Sequence, residues 1–417
     1  MMDSCSAQAP PRQRVLYVDT APTVGGSVVS LYELLKNLDR SRYEPVVVAC
    51  APHAYVANYR SLGVRVVVDT PPAQDHRPAW LKEARDSGPV RWWLRTALGP
   101  RLYHALGFAM LLARRTWPRA RALSKLIRQE RIGIVHTNIR VGHDREGILA
   151  ARLAGVPCVA HVRDFEELNW FDRKLAGMVS SFVYISRAVQ QHHVQAGAPA
   201  GRGRVVYNAV DTSVFSDSLD ATVGRTALGL APGVPAVGVV GRLEPWKGQH
   251  VFLRAMSLVV RTIPEARGVI IGDPVPHEPE YPELLAKLRS ELGLVQSVSI
   301  HSFRTAVASA MSALDLVVLA STSPEPFGRV LIEAMALGKA VVATDAGAAR
   351  EIVEHQVHGL LVPTEDALAL AEAIVRLLAH REEAAVMGQN GRARVLERFT
   401  LKQNVDGIEA AYRDLLT

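Results

Sequence analysis

Short apolar runs that end at a polar residue or a glycine, alternating with helical repeats, constrain this chain more than any other feature. The first is RVLYVD, residues 14–19. A run that is apolar along its whole length suits a strand buried on both faces, as in a parallel sheet covered by helices. More follow at 46–50, 64–69, 132–136, 157–162, 182–186 and 205–209. Helical patterns lie between most of them. The first helix, 28–38, follows the loop APTVGGS, with Ser27 expected as its cap. A polar, Gly/Pro-rich stretch at 211–235 reads as a linker. A second series then begins, at 236–240, 268–271, 298–302, 314–320, 340–344 and 359–362, with helices at 249–260, 281–292, 330–337 and 368–378. The alternation predicts an α/β fold of two doubly wound, Rossmann-like domains. The expected divisions are a disordered tail at 1–12, an N-terminal domain at 13–210, the linker at 211–235, and a C-terminal domain at 236–380. Terminal helices at 381–417 are expected to return to the N-terminal domain. In such sheets ligands sit outside the carboxyl ends of the strands, so the informative residues are those just after strands.

Composition excludes several classes. A chain of 417 residues, 48% of them apolar, buries cores large enough to rule out disorder as its dominant state. Its three cysteines, Cys5, Cys50 and Cys158, are too few and scattered for a disulfide framework or a cysteine zinc site, and a reducing compartment is expected. The first dozen residues lack the apolar core of a secretory signal, and no run is long enough to span a bilayer. The expected location is the cytoplasm, with peripheral attachment to the inner face of the plasma membrane as an option.

The net charge of +7 is uneven: residues 82–131 hold twelve Lys/Arg against three acids, mixed with Trp92, Trp93, Tyr103, Phe108, Met110 and Trp117. Basic residues among aromatics suit an anionic membrane surface, and equally a basic helix pair packed on a domain core. No nucleic-acid motif accompanies them, so no nucleic-acid partner is expected.

Two segments carry chemistry. In VVGRLEPWKGQH, 239–250, a strand ends at Val240 and Gly241 allows a close backbone approach. Arg242 and Lys247 then fall at a strand–helix junction, where two cations beside a helix start form an anion site, or a surface pair with no ligand. In STSPEPFGRVLIEAMALG, 321–338, a strand ends in a polar loop carrying Glu325, and Phe327 and Gly328 precede a helix carrying Glu333. Backbone N–H groups at a helix that starts after glycine suit a phosphate, and the carboxylates suit sugar hydroxyls. A solvated helical acid is the plainer reading of Glu333. His192 and His193 read as solvated, Glu166 and Glu167 as an acidic pair at a helix start, and His136 with His143 as too sparse for a metal.

Together these segments resemble the retaining glycosyltransferases of family 4, which have the GT-B fold. Glu325 and Glu333 stand in the family's E-x7-E pattern as EPFGRVLIE, and GRLEPWKG resembles its Gly-Arg-Leu…Lys-Gly element. VVYNAVDTSVF at 205–215, the pair Gly25 and Gly26, and HVRD at 161–164 fall in the family's order. Ala209, Pro274 and Ser302 depart from the family's usual glycines.

The resemblance implies two facing domains with a cleft between them, and a nucleoside diphosphate sugar, UDP- or GDP-linked, as substrate, with no cofactor and no metal. Arg242 and Lys247 would bind the diphosphate and stabilise the leaving group. Glu333 would hold the ribose and Glu325 the transferred sugar, with Phe327, Gly328, Arg329 and Val330 lining the site and Phe303 near the base. Gly25 and Gly26 would let a loop approach phosphates and acceptor. His161 would lie near the reacting carbon on the acceptor side, with Arg163 and Asp164. The implied reaction is retaining hexosyl transfer to a glycan or lipid-linked acceptor in polysaccharide or glycoconjugate synthesis. A nucleotide-sugar 2-epimerase and an inactive nucleotide- or glycan-binding protein are the alternatives.

Overall fold

A computed structural model of the chain describes residues 12–21, 23–69, 99–302 and 306–416. Residues 1–11 of the expected tail, residues 82–98 of the basic stretch, and Phe303 lie outside the described residues. The chain divides into two compact units. The first comprises Met1–Tyr184, Gln191–Arg204 and Gly407–Thr417; the second comprises Ile185–Gln190 and Val205–Asp406.

The first unit is built on a sheet ordered β3-β2-β1-β4-β5-β6-β7. Its strands are β1 Gln13–Asp19, β2 Tyr43–Ala49, β3 Arg65–Val68, β4 Ile134–Thr137, β5 Cys158–Val162, β6 Ser181–Tyr184 and β7 Gly203–Val205. Pairing is parallel from β3 through β6. The apolar runs become strands because helices cover both faces; Val15, Leu16, Tyr17, Val47 and Val159 are fully buried. The sequence of the sheet reverses between β1 and β4, which makes their carboxyl ends the crevice of this unit.

The second unit carries β8 Ala236–Val240, β9 Arg267–Ile271, β10 Val298–His301, β11 Leu316–Leu319, β12 Ala340–Thr344 and β13 Gly359–Val362. Their order is β10-β9-β8-β11-β12-β13 and every pairing is parallel. Here the reversal lies between β8 and β11. Helix Gln249–Thr262 packs Phe252, Ala255, Met256 and Val259 into a core shared with Ile270, Val318, Val342 and Ile374. Those helix positions recur at the helical period, so one face is apolar.

Several expectations change. Helix Gly26–Asn37 begins after Gly25 with no side-chain cap, so Ser27 lies inside it. The run at 205–209 yields a shorter strand placed earlier, β7. The expected linker holds helix Ala221–Ala227, with Gly224 pressed on the Ser309 carbonyl: a Cβ there would come within 1.9 Å of that oxygen. Helix Arg381–Arg398 stays with the second unit, Met387 in its core and Arg392 donating to the Ala336 carbonyl at 2.6 Å. Of the closing helix Leu401–Leu416, the part from Gly407 belongs to the first unit. His193 is buried, with its Nδ1 3.2 Å from the Tyr184 hydroxyl, and burial pushes it down to about 4. Glu166 is also buried, accepting from the Val141 and Gly142 amides, and burial raises it to about 7.

Candidate active site

The second unit gathers its candidate residues at the β8/β11 reversal. The loop after β8 and the loop after β11 are tied by the Thr322 amide, which donates to the Trp246 carbonyl at 2.8 Å. Gly248, at φ +71°, caps helix Gln249–Thr262 against the Ala320 carbonyl, and a Cβ there would lie 1.8 Å from that oxygen. A third loop joins through Gly347, at φ +63°, where a Cβ would lie 2.3 Å from the Glu325 carbonyl. These approaches require glycine, and they fix the loops that carry the charged side chains. The close approach expected at Gly241 is present, but the glycine it demands is its neighbour: a Cβ on Gly272 would lie 2.0 Å from the Gly241 carbonyl.

Lys247 Nζ donates to both oxygens of Glu325, at 3.0 and 3.1 Å, and the Ser321 hydroxyl donates to Glu325 Oε2 at 2.7 Å. Glu325 is 6% exposed. The ammonium also sits 3.9 Å from the centre of the Trp246 ring. Arg242 pairs with Glu244 at 3.0 Å. Glu244 is buried and further holds the Trp246 indole N–H at 2.8 Å and His277 Nε2 at 3.1 Å. Sequence reasoning passed over Glu244 because one acid between two site cations has no signature of its own. The result is a strip of two cations held by two carboxylates at the carboxyl ends of the two central strands, β8 and β11.

Gly328, at φ +93°, starts helix Arg329–Ala336 with no side-chain cap. Arg329 pairs with Glu333 one turn later, at 3.2 Å. Phe327 is buried against Tyr207 and Phe399, and Val330 is also buried, so their side chains serve packing and only their backbones could meet a ligand.

In the first unit, Gly25 is extended (φ −153°, ψ −174°), and a Cβ built on it meets nothing within 4 Å. Neither strain nor packing demands glycine there. His161, at the end of β5, is buried, its Nδ1 3.2 Å from His136 Nε2 and 3.2 Å from Arg163 Nη2. Arg163 is further held by Asn138, whose side-chain amide reaches the Ser27 carbonyl in the first turn after Gly25 and Gly26. Asp164 turns to Arg140, 3.5 Å away, and to the Phe165 amide, while Arg163 and His136 are the neighbours seen on His161. Asp144, missed from sequence, closes the loop after β4 through the Ile139 and Arg140 amides and Thr20, and burial raises it to about 6. Among the described residues, no group of three or more His, Cys, Asp or Glu could hold a metal ion.

Comparison with known proteins adds to this geometry. The model of "Glycosyltransferase Family 4" matches residues 24–214, and that of "Glycosyl transferases group 1" matches residues 224–394. The chain is 33% identical over 218 residues to the lipopolysaccharide core biosynthesis mannosyltransferase LpsB of Rhizobium meliloti (strain 1021), covering 51% of this chain and 61% of that one. It is 32% identical over 287 residues to the D-inositol 3-phosphate glycosyltransferase of Mycobacterium ulcerans (strain Agy99), covering 68% of this chain and 59% of that one. The matches thus span about three fifths of these relatives' lengths. The crystal structure of Anabaena Alr3699/HepE in complex with UDP and glucose superposes with a TM-score of 0.78 at 27% identity, covering 97% of this chain and 100% of that one.

Proposed function

Since the chain belongs to glycosyltransferase family 4, with the GT-B fold, we propose that it moves a hexosyl group from a nucleoside diphosphate sugar to a glycan or lipid-linked acceptor, with retention of configuration and without a metal. The observation that carries this reading is the pair Arg242 and Lys247, fixed with Glu325 at the carboxyl ends of β8 and β11. Fixed cations act where charge develops as the bond between the sugar and the diphosphate breaks. The acceptor oxygen bonds to the same face of that carbon, and its proton passes to the departing diphosphate, so no enzyme nucleophile is required. Arg242 and Lys247 hold the diphosphate, Glu325 the sugar and Glu333 the ribose. UDP is favoured over GDP because the similar Anabaena structures contain UDP or UDP-glucose.

The test is a thermal-shift panel of UDP, GDP, ADP, CDP and dTDP. At ~100 times its dissociation constant a ligand adds roughly 2.7 kcal/mol to stability. UDP is expected to raise Tm in the wild type and not in Glu333→Ala. A response to every nucleotide would sink the preference for UDP, and an unaltered response in the variant would sink the assignment of Glu333. Product analysis with donor alone separates transfer from epimerisation.

Glu244 makes a second expectation. Glu244→Gln should free Arg242 and raise the donor KM about tenfold, roughly 1.4 kcal/mol, with a smaller change in kcat. Steady-state kinetics in varied donor would show it, and an unchanged KM would count against the role.

An anionic membrane surface is a further proposed partner. No described helix is long and apolar enough to cross a membrane. Helix Gly99–Leu111 exposes Leu102 and Leu106; helix Trp117–Gln129 exposes Trp117, with the Arg121 guanidinium 5.1 Å from the centre of its ring. Trp170, 62% exposed, lies edge-on to Phe108 of the first helix, with Lys174 against it. Not every arginine of the stretch is available: Arg119 is bound to Asp69 at 2.8 Å and Arg115 lies 3.5 Å from Glu146. The variant to make is therefore Arg114, Arg121 and Lys125 to glutamine. Wild type should sediment with anionic vesicles at low salt and release at high salt; equal sedimentation of the variant would end the proposal.

A further inference from the structure

We infer that Arg163 fixes His161 as the tautomer with its proton on Nε2, and that His136, Tyr412 and Tyr17 hold the ring in that state. All four are positioning residues. The Arg163 guanidinium can only donate. Its Nε donates to the Asn138 carbonyl at 2.9 Å and to Asn138 Oδ1 at 3.1 Å, and Nη2 donates to Oδ1 at 3.0 Å. So clamped, Nη2 lies 3.2 Å from His161 Nδ1, which must therefore carry the lone pair.

The rest follows outward along a buried chain. His136 Nε2 is 3.2 Å from the same Nδ1, so it must be the N–H. His136 Nδ1 is then an acceptor, and the Tyr412 hydroxyl 2.5 Å away gives it a proton. In the structure the Tyr412 hydroxyl donates to the Tyr17 hydroxyl at 3.0 Å. A hydroxyl proton swivels, so in the inferred chain Tyr412 turns its proton from Tyr17 to His136, and Tyr17 turns its own towards Tyr412. In this polarity each link from Tyr17 to His161 has one donor and one acceptor, and Nδ1 shares its lone pair between His136 and Arg163. The four groups come from β1, β4, β5 and the closing helix, so the last turns of the chain support a histidine at the end of β5.

One atom is left over. His161 is 1% exposed and its Nε2 has no hydrogen-bond partner among the described residues. A buried N–H without an acceptor costs free energy that a ligand oxygen would recover. Burial and the neighbouring guanidinium push His161 well below its ordinary range and His136 down to about 3, so both rings stay neutral and the polarity is not scrambled by a second proton. His161 then offers a neutral donor to a hydroxyl or phosphate oxygen of substrate; this catalytic consequence rests on the transferase reading.

Removing the guanidinium lets the chain reverse. His161 Nδ1–H would donate to His136, His136 Nδ1–H to Tyr412, and Tyr412 to Tyr17. The reversed chain is also fully bonded, so the variant should fold, but Nε2 would face substrate with a lone pair. The experiment is histidine-labelled two-bond ¹H–¹⁵N spectroscopy of the full chain, with His161 assigned by His161→Gln. Wild type and Arg163→Lys should show the Nε2–H form, and Arg163→Met the Nδ1–H form. Tyr412→Phe should keep the Nε2–H form, since the guanidinium still dictates it. With UDP-sugar donor, kcat should fall at least about tenfold in Arg163→Met, and Arg163→Lys should restore most of it. A wild-type Nδ1–H form, or no switch in Arg163→Met, overturns the inference. Weaker binding with an unchanged tautomer overturns it too, making Arg163 a ligand contact. The spectra need no turnover, so a chain that switches tautomer but transfers nothing would refute the transferase reading and leave the assignment standing.

Discussion

Lys247→Ala is expected to lower kcat by about 10²–10³-fold, the loss typical of removing one fixed stabiliser of developing charge. The donor KM should change far less, because the ammonium acts most where the diphosphate leaves. The same substitution has a structural cost. Lys247 is 18% and Glu325 8% exposed at the side chain, and among the described residues Ser321 would remain the one side-chain partner of the carboxylate. A buried carboxylate stripped of its cation costs up to ~3–5 kcal/mol; with this partial exposure about 2–3 kcal/mol is expected. Lys247→Arg separates the two effects. It keeps a cation for Glu325 and should recover most of the stability, but less of the rate, because a planar guanidinium cannot copy an ammonium's position. Single-turnover kinetics beside a denaturation curve would read both. A folded Lys247→Ala protein with kcat within about threefold of wild type would contradict the leaving-group role.

Gly248→Ala should be the most destabilising single methyl in the second unit. Gly248 sits at φ +71°, and the added Cβ would lie 1.8 Å from the Ala320 carbonyl oxygen and 2.7 Å from its carbon. That carbonyl follows β11, and Ala320 is fully buried, so it has no room to yield. The left-handed backbone alone costs about 1 kcal/mol for alanine, and the forced shift brings the total to at least about 3 kcal/mol. For a unit of this size the Tm should fall by roughly 6–12 °C. Gly241→Ala is the control: its Cβ would meet only Lys247 Cδ, at 3.8 Å, an ordinary contact. Scanning calorimetry of the two variants should show a large and a negligible shift. Equal shifts would mean that the Gly248 loop relaxes freely. Any movement of the chain after β11 also carries Ser321 and Glu325, so activity should fall further in Gly248→Ala than stability alone explains.

How far the sequence reached is seen at particular residues. Continuous apolar runs such as RVLYVD and the helical spacing of Val251, Phe252, Ala255 and Met256 are local signals, and they became β1 and the core face of helix Gln249–Thr262. The strand-end positions of Arg242, Lys247 and Glu325 were legible for the same reason: each follows a run whose end is marked by a glycine or a polar residue. Gly25 was legible only as a resemblance, and the open space around it shows that no local rule required glycine. The pairings were not legible. Lys247 meets Glu325, 78 residues away, only because β8 lies beside β11, and strand order is not written in either strand. Tyr412 meets His136 across 276 residues, and read alone it is one more aromatic on an amphipathic helix. Periodicity and turn chemistry are properties of neighbouring residues, so the sequence by itself determined two parallel α/β units and the strand ends where charge collects. Which charges meet, which glycines are indispensable and which nitrogen of His161 holds the proton depend on contacts between segments far apart in the chain, and only the folded packing decides those.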